Sequence, residues 1–159
     1  MKISIIAVGK IKEKYLKDGI AEYSKRLSRF SDIEVIEVED EQAPENLSAA
    51  QELQIKRREA DKISRKIKDG ATVIVLDVKG DRMDSIAFAG KLDAYLIGGS
   101  SNLVFVIGGS LGLAPELVKS AHLRLSMSEM TFPHQLARLV LLEQLFRAFK
   151  IMKGETYHK

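Results

Sequence analysis

Leu103-Val104-Phe105-Val106-Ile107-Gly108-Gly109-Ser110-Leu111-Gly112 is the stretch that decides the fold, because a wholly apolar run passes directly into a glycine-rich turn. A continuous run of this length, rich in β-branched and aromatic residues, predicts a strand buried on both faces of a parallel sheet. Thr72–Asp77 is a second run of this kind, and Lys2–Val8 opens the chain with a third. These runs predict the centre of one sheet.

Helical and strand patterns alternate around these runs. Ile33–Val38 alternates apolar and acidic residues with a period of two, which is typical of a half-exposed edge strand. Ser48 and Gln51 form a capping-box pattern at the start of a helix that we expect to end at Gly70. A loop is expected at Gly80-Asp81. The other expected elements are helices at about Lys12–Phe30, Ser85–Ile97, near Pro115 and at Pro133–Met152, and a last strand at Leu123–Ser126.

The order of these elements predicts an α/β fold: a mostly parallel sheet with helices on both faces, in a single domain covering residues 1–159. The chain contains no cysteine, which excludes disulfides and thiolate metal sites, and its three histidines lack the spacing of a metal-ligand set. No apolar run approaches the roughly 18–20 residues that span a bilayer. The apolar opening segment is interpreted as a strand rather than a signal peptide, so a cytoplasmic protein is expected.

Charge is distributed unevenly along the chain. Residues 10–29, 48–68 and 119–159 each carry seven Lys or Arg residues against three acidic ones, whereas Asp32–Glu45 carries seven acidic residues and no basic one. Basic stretches favour a polyanionic partner because they neutralise phosphates and release counterions. Solvated helix faces would produce the same composition, so both interpretations stay open.

The last predicted helix is apolar around nearly its whole circumference. A helix of this kind is buried on more than one side. In a domain of this size a second subunit is the expected cover, so the pattern predicts a homodimer packed on this helix.

Ligands of open parallel sheets bind outside the carboxyl ends of the strands. Leu76-Asp77, the turn Gly108–Gly112 and the loop Ser126–Pro133 should meet there. The turn alone is weak evidence, since a glycine turn after a strand is often only a turn. It matches neither the dinucleotide fingerprint nor the phosphate-binding loop of nucleotide hydrolases. The loop is more informative, because it mixes polar groups with Met127, Met130 and Phe132, a mixture that suits an adenine ring and a thioether chain.

That loop also has a purely structural interpretation, with Thr131 as the cap of the last helix and Pro133 in its first turn. Farther along, Arg138 is out of place in an apolar helix, so it pairs with an acid or meets an anionic ligand. His134 lies on the same helix face as Arg138. The terminal Tyr157-His158-Lys159 combines an aromatic ring, an imidazole and a cation, although terminal segments are usually frayed.

Several segments together resemble the ribosomal RNA large subunit methyltransferase H family of the SPOUT superfamily. The resemblance covers essentially the whole chain, and the last three of the matching segments, in this order and spacing, are highly specific. The segments are Met1–Lys10, Ala43–Asn46, Phe105–Ser110, Thr131–Gln135, and Arg147–Lys150 through Tyr157–Lys159. The side chains of Met127–Glu129 depart from the family pattern, which matters little if the contacts there are made by backbone.

The resemblance implies an α/β knot, in which the C-terminal part forms a trefoil by threading through a loop, and a homodimer. It implies methyl transfer from S-adenosylmethionine to N3 of a pseudouridine in 23S rRNA of the assembled ribosome. Tyr157 and His158 would close over the site, with His158 as a candidate base and Arg138 as a candidate stabiliser of the developing anion. By matching position, the cofactor contacts would be Leu76, Gly108, Met127, Ser128, Glu129, Met130, Thr131 and Phe132.

Three other functions compete with this one. A related SPOUT enzyme would methylate a tRNA or another base. A non-catalytic ribosome- or RNA-binding module would keep the fold without the cofactor. A small-molecule α/β enzyme would leave the basic stretches unexplained, and no nucleophile-base-acid triad supports it.

Overall fold

The computed structural model describes all 159 residues, and its five strands form one sheet in the order β2-β1-β4-β3-β5. Neighbouring strands are parallel throughout. The strands are β1 (Lys2–Val8), β2 (Asp32–Val38), β3 (Thr72–Arg82), β4 (Asn102–Ile107) and β5 (Leu123–Ser126). The helices are α1 (Lys14–Leu27), α2 (Ala49–Ser64), α3 (Ser85–Ile97), α4 (Pro115–Ser120) and α5 (His134–Met152).

This arrangement confirms the predicted α/β class, with β2 at the edge of the sheet as its alternating pattern indicated. The capping box at Ser48 and Gln51 is also present. The trefoil knot stays a prediction, because strand order and pairing do not test it. None of the helices is long and apolar enough to cross a membrane.

Helices cover both faces of the sheet, because successive strand residues point to opposite sides. On one face, side chains of α1, α3 and α5 pack with Ile5 and Phe105 in the larger apolar cluster. On the other face, Ile63 of α2 and Leu117 of α4 pack with the neighbouring Ile6 in a second cluster. The two basic helices α1 and α2 therefore lie on opposite faces of the sheet.

Helix α5 lies between α1 and α3, which accounts for much of its apolar circumference. Leu139 packs so closely on Gly19 of α1 that a Cβ at Gly19 would lie 3.0 Å from the leucine methyl. On the other side, the Ser85 hydroxyl of α3 donates to Oε1 of Gln144 (2.7 Å). Leu136 remains 37% exposed. The chain itself thus covers most of α5. The homodimer stays a prediction, and it rests on the part of α5, including Leu136, that the rest of the chain leaves uncovered.

Two element boundaries differ from the sequence prediction. Helix α2 ends at Ser64 rather than near Gly70, because tight turns follow, in which the N–H of Ala71 donates to the carbonyl of Lys68 (3.2 Å). Strand β3 continues through the expected loop at Gly80-Asp81 and pairs again with β5 after an irregularity between Leu76 and Asp81. A Cβ at Gly80 would lie 2.6 Å from the carbonyl oxygen of Arg124, so only glycine fits this crossing.

Candidate functional site

A cleft of about 680 Å³ lies at the carboxyl ends of β3, β4 and β5. Three segments line it: the irregular part of β3 at residues 76–78, the turn at residues 108–113 after β4, and the loop at residues 127–133 after β5. The first turn of α5 closes one side. The three segments that the sequence analysis expected to meet therefore do meet, because all three strands are parallel and end at the same sheet edge.

A side chain is disfavoured at each glycine of the turn, for a different physical reason in each case. A Cβ at Gly108 would lie 3.0 Å from the carbonyl carbon of Gly112, so a side chain there would force the turn open. The turn is closed by the N–H of Gly112, which donates to the carbonyl of Gly109 (3.0 Å), and Gly112 has a φ of 87° that favours glycine. At Gly109 a Cβ would point at Val8, 3.2 Å away. The glycines thus serve the packing of the turn, and the turn presents backbone to the cleft.

The loop after β5 is held by its own polar groups. The Ser126 hydroxyl donates to the carbonyl of Ser128 (3.1 Å), and the Ser128 hydroxyl accepts the N–H of Met130 (2.9 Å). These bonds shape an irregular segment that presents Met127 and Phe132 to the cleft. The structural interpretation of Thr131 as a helix cap is wrong, because the cap position belongs to Pro133 and has no side-chain hydrogen bond.

All the residues predicted to contact a cofactor line the cleft, except Glu129. The Glu129 carboxylate forms an ion pair with Arg82 on β3 instead. Val78 and Gln135 also line the cleft, although neither was predicted to contact a cofactor. The hydrophobic pattern of the sequence does not mark either residue as a ligand contact. Val78 follows the end of the recognisable strand run, and Gln135 lies in the first turn of a helix. The predicted cofactor contacts that line the cleft are Leu76, Gly108, Met127, Ser128, Met130, Thr131 and Phe132.

The walls of the cleft carry little free charge. Asp77 is paired with Arg124, whose Nη2 lies 2.9 Å from the Asp77 carboxylate. Burial, followed by the charge of Arg138, lowers the pKa of His134, so its ring is neutral at pH 7. The cleft is therefore a groove with many apolar lining residues and few unpaired charges, beside the backbone of the glycine turn.

Arg138 does not line the cleft. Its side chain is 2% exposed, and its Nη1 lies 2.6 Å from Oε2 of Glu37 at the end of β2. Its Nη2 donates to the carbonyl of Gly9 (3.3 Å). Of the two interpretations left open by the sequence, structural pairing is the one seen here. A catalytic role for Arg138 stays a prediction, and it requires this pair to open.

The terminal segment docks on the far half of α5. The Tyr157 ring packs edge-on against Phe146, with centroids 5.0 Å apart, and its hydroxyl donates to Glu143 (3.3 Å). Burial, together with a hydrogen bond to Tyr23, raises the pKa of Tyr157 to about 12, so it stays protonated at neutral pH. Glu155 is held by Arg29 (2.7 Å) and Lys150 (2.8 Å). The segment is thus anchored rather than frayed.

His158 contacts Arg147, with Nη1 of the arginine 3.1 Å from Nδ1 of the histidine. Arginine only donates hydrogen bonds, so Nδ1 accepts and the neutral ring carries its proton on Nε2. In this position Nδ1 is occupied by the arginine, so neither ring nitrogen is a free hydrogen-bond acceptor. Arg147 lies 13 residues after His134, which corresponds to about 20 Å along the helix. The terminal segment of a chain is therefore far from the cleft of the same chain.

Comparisons with known proteins find similar proteins over the whole chain. A family model described as "Predicted SPOUT methyltransferase" matches residues 1–158. Two proteins named "Ribosomal RNA large subunit methyltransferase H" are similar over the full length of both chains. The one from Acetivibrio thermocellus is 59% identical and the one from Ruminiclostridium cellulolyticum is 56% identical. The structure of "a probable methylase family protein" from Haemophilus influenzae Rd KW20 has a similar fold, with a TM-score of 0.53. The match covers 99% of this chain and 70% of the other, and the two sequences are 13% identical.

Proposed function

This chain belongs to the SPOUT methyltransferase family, and within it to the ribosomal RNA large subunit methyltransferase H family, and from that premise we propose that it methylates ribosomal RNA with S-adenosylmethionine. The family resemblance seen in the sequence is confirmed. The observation that carries the proposal is the cleft, where the turn after β4 and the loop after β5 meet as the resemblance implies.

The cleft fits this cofactor. Its volume is within the range of sites for ligands of that size. Leu76, Met127 and Phe132 offer apolar surface for an adenine ring and a thioether chain, and the turn at residues 108–112 offers backbone donors and acceptors. When bound, S-adenosylmethionine supplies a methyl group on a positively charged sulfur. The chain's own contribution is to hold and orient it, to exclude water with apolar walls, and to take up the proton released by the acceptor.

The acceptor that we propose is N3 of a pseudouridine in 23S rRNA, on the assembled ribosome in the cytoplasm. Its support is the match of the terminal segments to the family pattern and the names of the similar proteins. N3–H is weakly acidic, so its proton must leave to a base as the N3–methyl bond forms. His158 is the candidate base. To act, its ring must leave Arg147, because the docked ring has no free acceptor nitrogen.

We further propose that the active unit is a homodimer, in which the terminal segment of one protomer reaches the cleft of its partner. Two observations support this. The segment docks about 20 Å along α5 from the start of the helix beside its own cleft. Apolar side chains on the cleft side are exposed without a partner, with Leu136 at 37% and Met130 at 75%. A partner packed on α5 would cover them and bring its own Tyr157 and His158 to the cleft.

The decisive experiment maps the methyl group. The protein is incubated with ribosomes that lack the modification and with isotopically labelled S-adenosylmethionine, and the labelled nucleotide is identified by mass spectrometry. We expect one labelled pseudouridine in 23S rRNA. Naked 23S rRNA and tRNA serve as parallel substrates. Labelling of tRNA instead would assign a related SPOUT activity, and no labelling together with no calorimetric binding of the cofactor would favour a non-catalytic RNA-binding module.

Subunit mixing tests the shared site. We expect His158→Ala and Gly108→Ala proteins, each of low activity, to regain activity when their subunits are exchanged into mixed dimers. A mixed dimer has one cleft that combines an intact turn with an intact terminal segment from the partner. If mixing restores nothing while native mass spectrometry shows mixed dimers, the terminal segment acts in its own chain.

A further inference from the structure

Glu59 on α2 is a buried carboxylate that the proposed mechanism does not use. It is 5% exposed, and its Oε2 accepts the N–H of Glu41 (2.9 Å). No cation forms an ion pair with it, since the nearby Lys62 binds the carboxylate of Glu41 (3.2 Å) and the carbonyl of Glu39 (3.1 Å). Burial, assisted by the charge of Asp40, raises the pKa of Glu59. Burying an unpaired carboxylate costs free energy, so its presence calls for a reason.

The carboxylate lies directly behind the turn that lines the cleft. A Cβ at Gly109 would be 3.5 Å from Oε1 and 3.7 Å from Oε2 of Glu59. Gly109 itself lines the cleft. One layer of backbone, without a side chain, therefore separates the carboxylate from the space that a ligand would occupy.

The other charges around the turn largely cancel. Glu37 is neutralised by Arg138 (2.6 Å), Glu41 by Lys62 (3.2 Å), and Asp77 by Arg124 (2.9 Å). His134 is neutral at pH 7, because burial lowers its pKa. Lys10 and Asp40 are exposed to solvent, which weakens their effect on the cleft. Glu59 is thus a buried carboxylate beside the cleft that forms no ion pair.

We infer that Glu59 is a specificity-determining residue, whose negative charge behind Gly109 favours the sulfonium form of the cofactor over the uncharged thioether product. The inference rests on the proposed function. S-adenosylmethionine and S-adenosylhomocysteine differ by a methyl group and one positive charge at sulfur, and they share every other charged group. A fixed negative charge in a poorly solvated place thus binds the donor more tightly than the product. The consequence is easier release of product after each turnover.

The test compares the affinities of the two ligands by calorimetry at pH 8, for the wild-type chain and for Glu59→Gln. The glutamine keeps the shape and the acceptor for the N–H of Glu41, and it removes the charge. We expect the ratio of the product Kd to the donor Kd to fall about three- to tenfold in the variant. Weaker binding of the donor should account for most of the change. A role in packing alone would weaken both ligands by the same factor, and an unchanged ratio would overturn the inference.

A matched control removes the same charge elsewhere. Glu34 lies on β2, and its carboxylate pairs with Lys2 (3.0 Å) at the opposite end of the sheet. Glu34→Gln should leave the ratio unchanged. A ratio that falls equally in both variants would point to net charge rather than to Glu59, and would also overturn the inference.

A second measurement needs no variant beyond Glu59→Gln. In the wild-type chain the ratio should decrease as the pH falls and Glu59 takes up a proton, whereas in Glu59→Gln it should vary much less. The groups that face Glu59 or the turn (Glu37, Asp40, Glu41, Lys62, His134 and Arg138) are common to both proteins, so the difference between the two curves isolates Glu59. Coincident curves would contradict the inference. Absence of binding of either ligand to the wild-type chain would instead remove the proposed function and this inference together.

Discussion

Arg138 and Glu37 form an ion pair that joins the start of α5 to the end of β2, with Nη1 of the arginine 2.6 Å from Oε2 of the glutamate. The two partners are unequal, since the arginine side chain is 2% exposed and that of the glutamate 40%. The pair holds the first turn of α5 against the carboxyl ends of β1 and β2. Because that turn closes one side of the cleft, the pair positions the site without lining it.

The unequal burial predicts unequal costs of breaking the pair. Glu37→Ala leaves a buried guanidinium without its counterion and should lower the free energy of unfolding by about 2–3 kcal/mol. Arg138→Met leaves a carboxylate that reaches solvent and should lower it by about 1–2 kcal/mol. Urea titration measures both. Glu116→Ala, which breaks the exposed pair with Arg57, is the control and should have a much smaller effect. A larger loss for Arg138→Met than for Glu37→Ala would contradict this account.

The turn after β4 should not tolerate a side chain at Gly108. Gly108→Ala places a Cβ 3.0 Å from the backbone of Gly112, so the turn must shift. We expect about tenfold weaker binding of S-adenosylmethionine, equivalent to about 1.4 kcal/mol, in calorimetry. Gly90→Ala in α3 is the matched control, because its Cβ would meet no atom within 4 Å. That variant should bind the cofactor normally and be more stable by about 0.5–1 kcal/mol.

The terminal histidine should matter for turnover more than for cofactor binding. His158→Ala removes the candidate base, and we expect kcat to fall by about 100-fold, as is typical of the loss of a general base. The Kd of S-adenosylmethionine should change little, because the residues that line the cleft and are predicted to hold the cofactor are unchanged in this variant. Tyr157→Phe is the comparison, since it keeps the packing on Phe146 and removes only the hydroxyl's hydrogen bonds to Glu143 and Tyr23. Unchanged turnover in His158→Ala would remove this residue from the mechanism.

Lysines just before α1 and in its first turn should contribute to RNA binding. Lys10, Lys12 and Lys17 are exposed and form no ion pair, whereas Lys14 is paired with Asp18 (2.7 Å). Replacing the three unpaired lysines by glutamine should weaken the salt dependence of RNA binding. The slope of the logarithm of the binding constant against the logarithm of salt concentration should become shallower by about 0.7–0.9 for each phosphate that is no longer neutralised. Lys14→Gln should have the smaller effect. A slope that stays constant in the triple variant would show that α1 does not contact the RNA backbone.

Glu59 should make stability depend on pH in a definite direction. Burial raises its pKa in the folded chain above the ordinary 4.5. Ionisation is therefore less favourable in the folded than in the unfolded chain, and stability is lost as the pH rises from about 4.5 through the folded-state pKa. Glu59→Gln avoids this loss, so it should be more stable than the wild-type chain at pH 8. The advantage should disappear at about pH 4, where Glu59 is largely protonated in both states. Urea titrations at the two pH values measure the difference, and an equal advantage at both would contradict this.

The fold was predictable because its signals are local. The apolar runs at Thr72–Asp77 and Leu103–Ile107 specify buried strands wherever they occur, and Ser48 with Gln51 specifies a helix start by hydrogen bonds between neighbours. One error fell where a distant contact overrides local preference. Gly80-Asp81 has the composition of a loop, yet it continues β3 because β5 lies alongside and pairs with it again.

The cleft was predictable for a related reason. The carboxyl ends of parallel strands meet at one sheet edge, so the order of strands and loops along the chain determines which segments line it. That is why Leu76-Asp77, Gly108–Gly112 and Ser126–Pro133 could be predicted to meet, whereas the individual cofactor contacts came from the family resemblance. The tertiary structure alone decided the charges, because an ion pair depends on distances that a sequence does not contain. It pairs Arg138 with Glu37, turns Glu129 towards Arg82, docks His158 on Arg147, and leaves Glu59 buried behind Gly109 without a counterion.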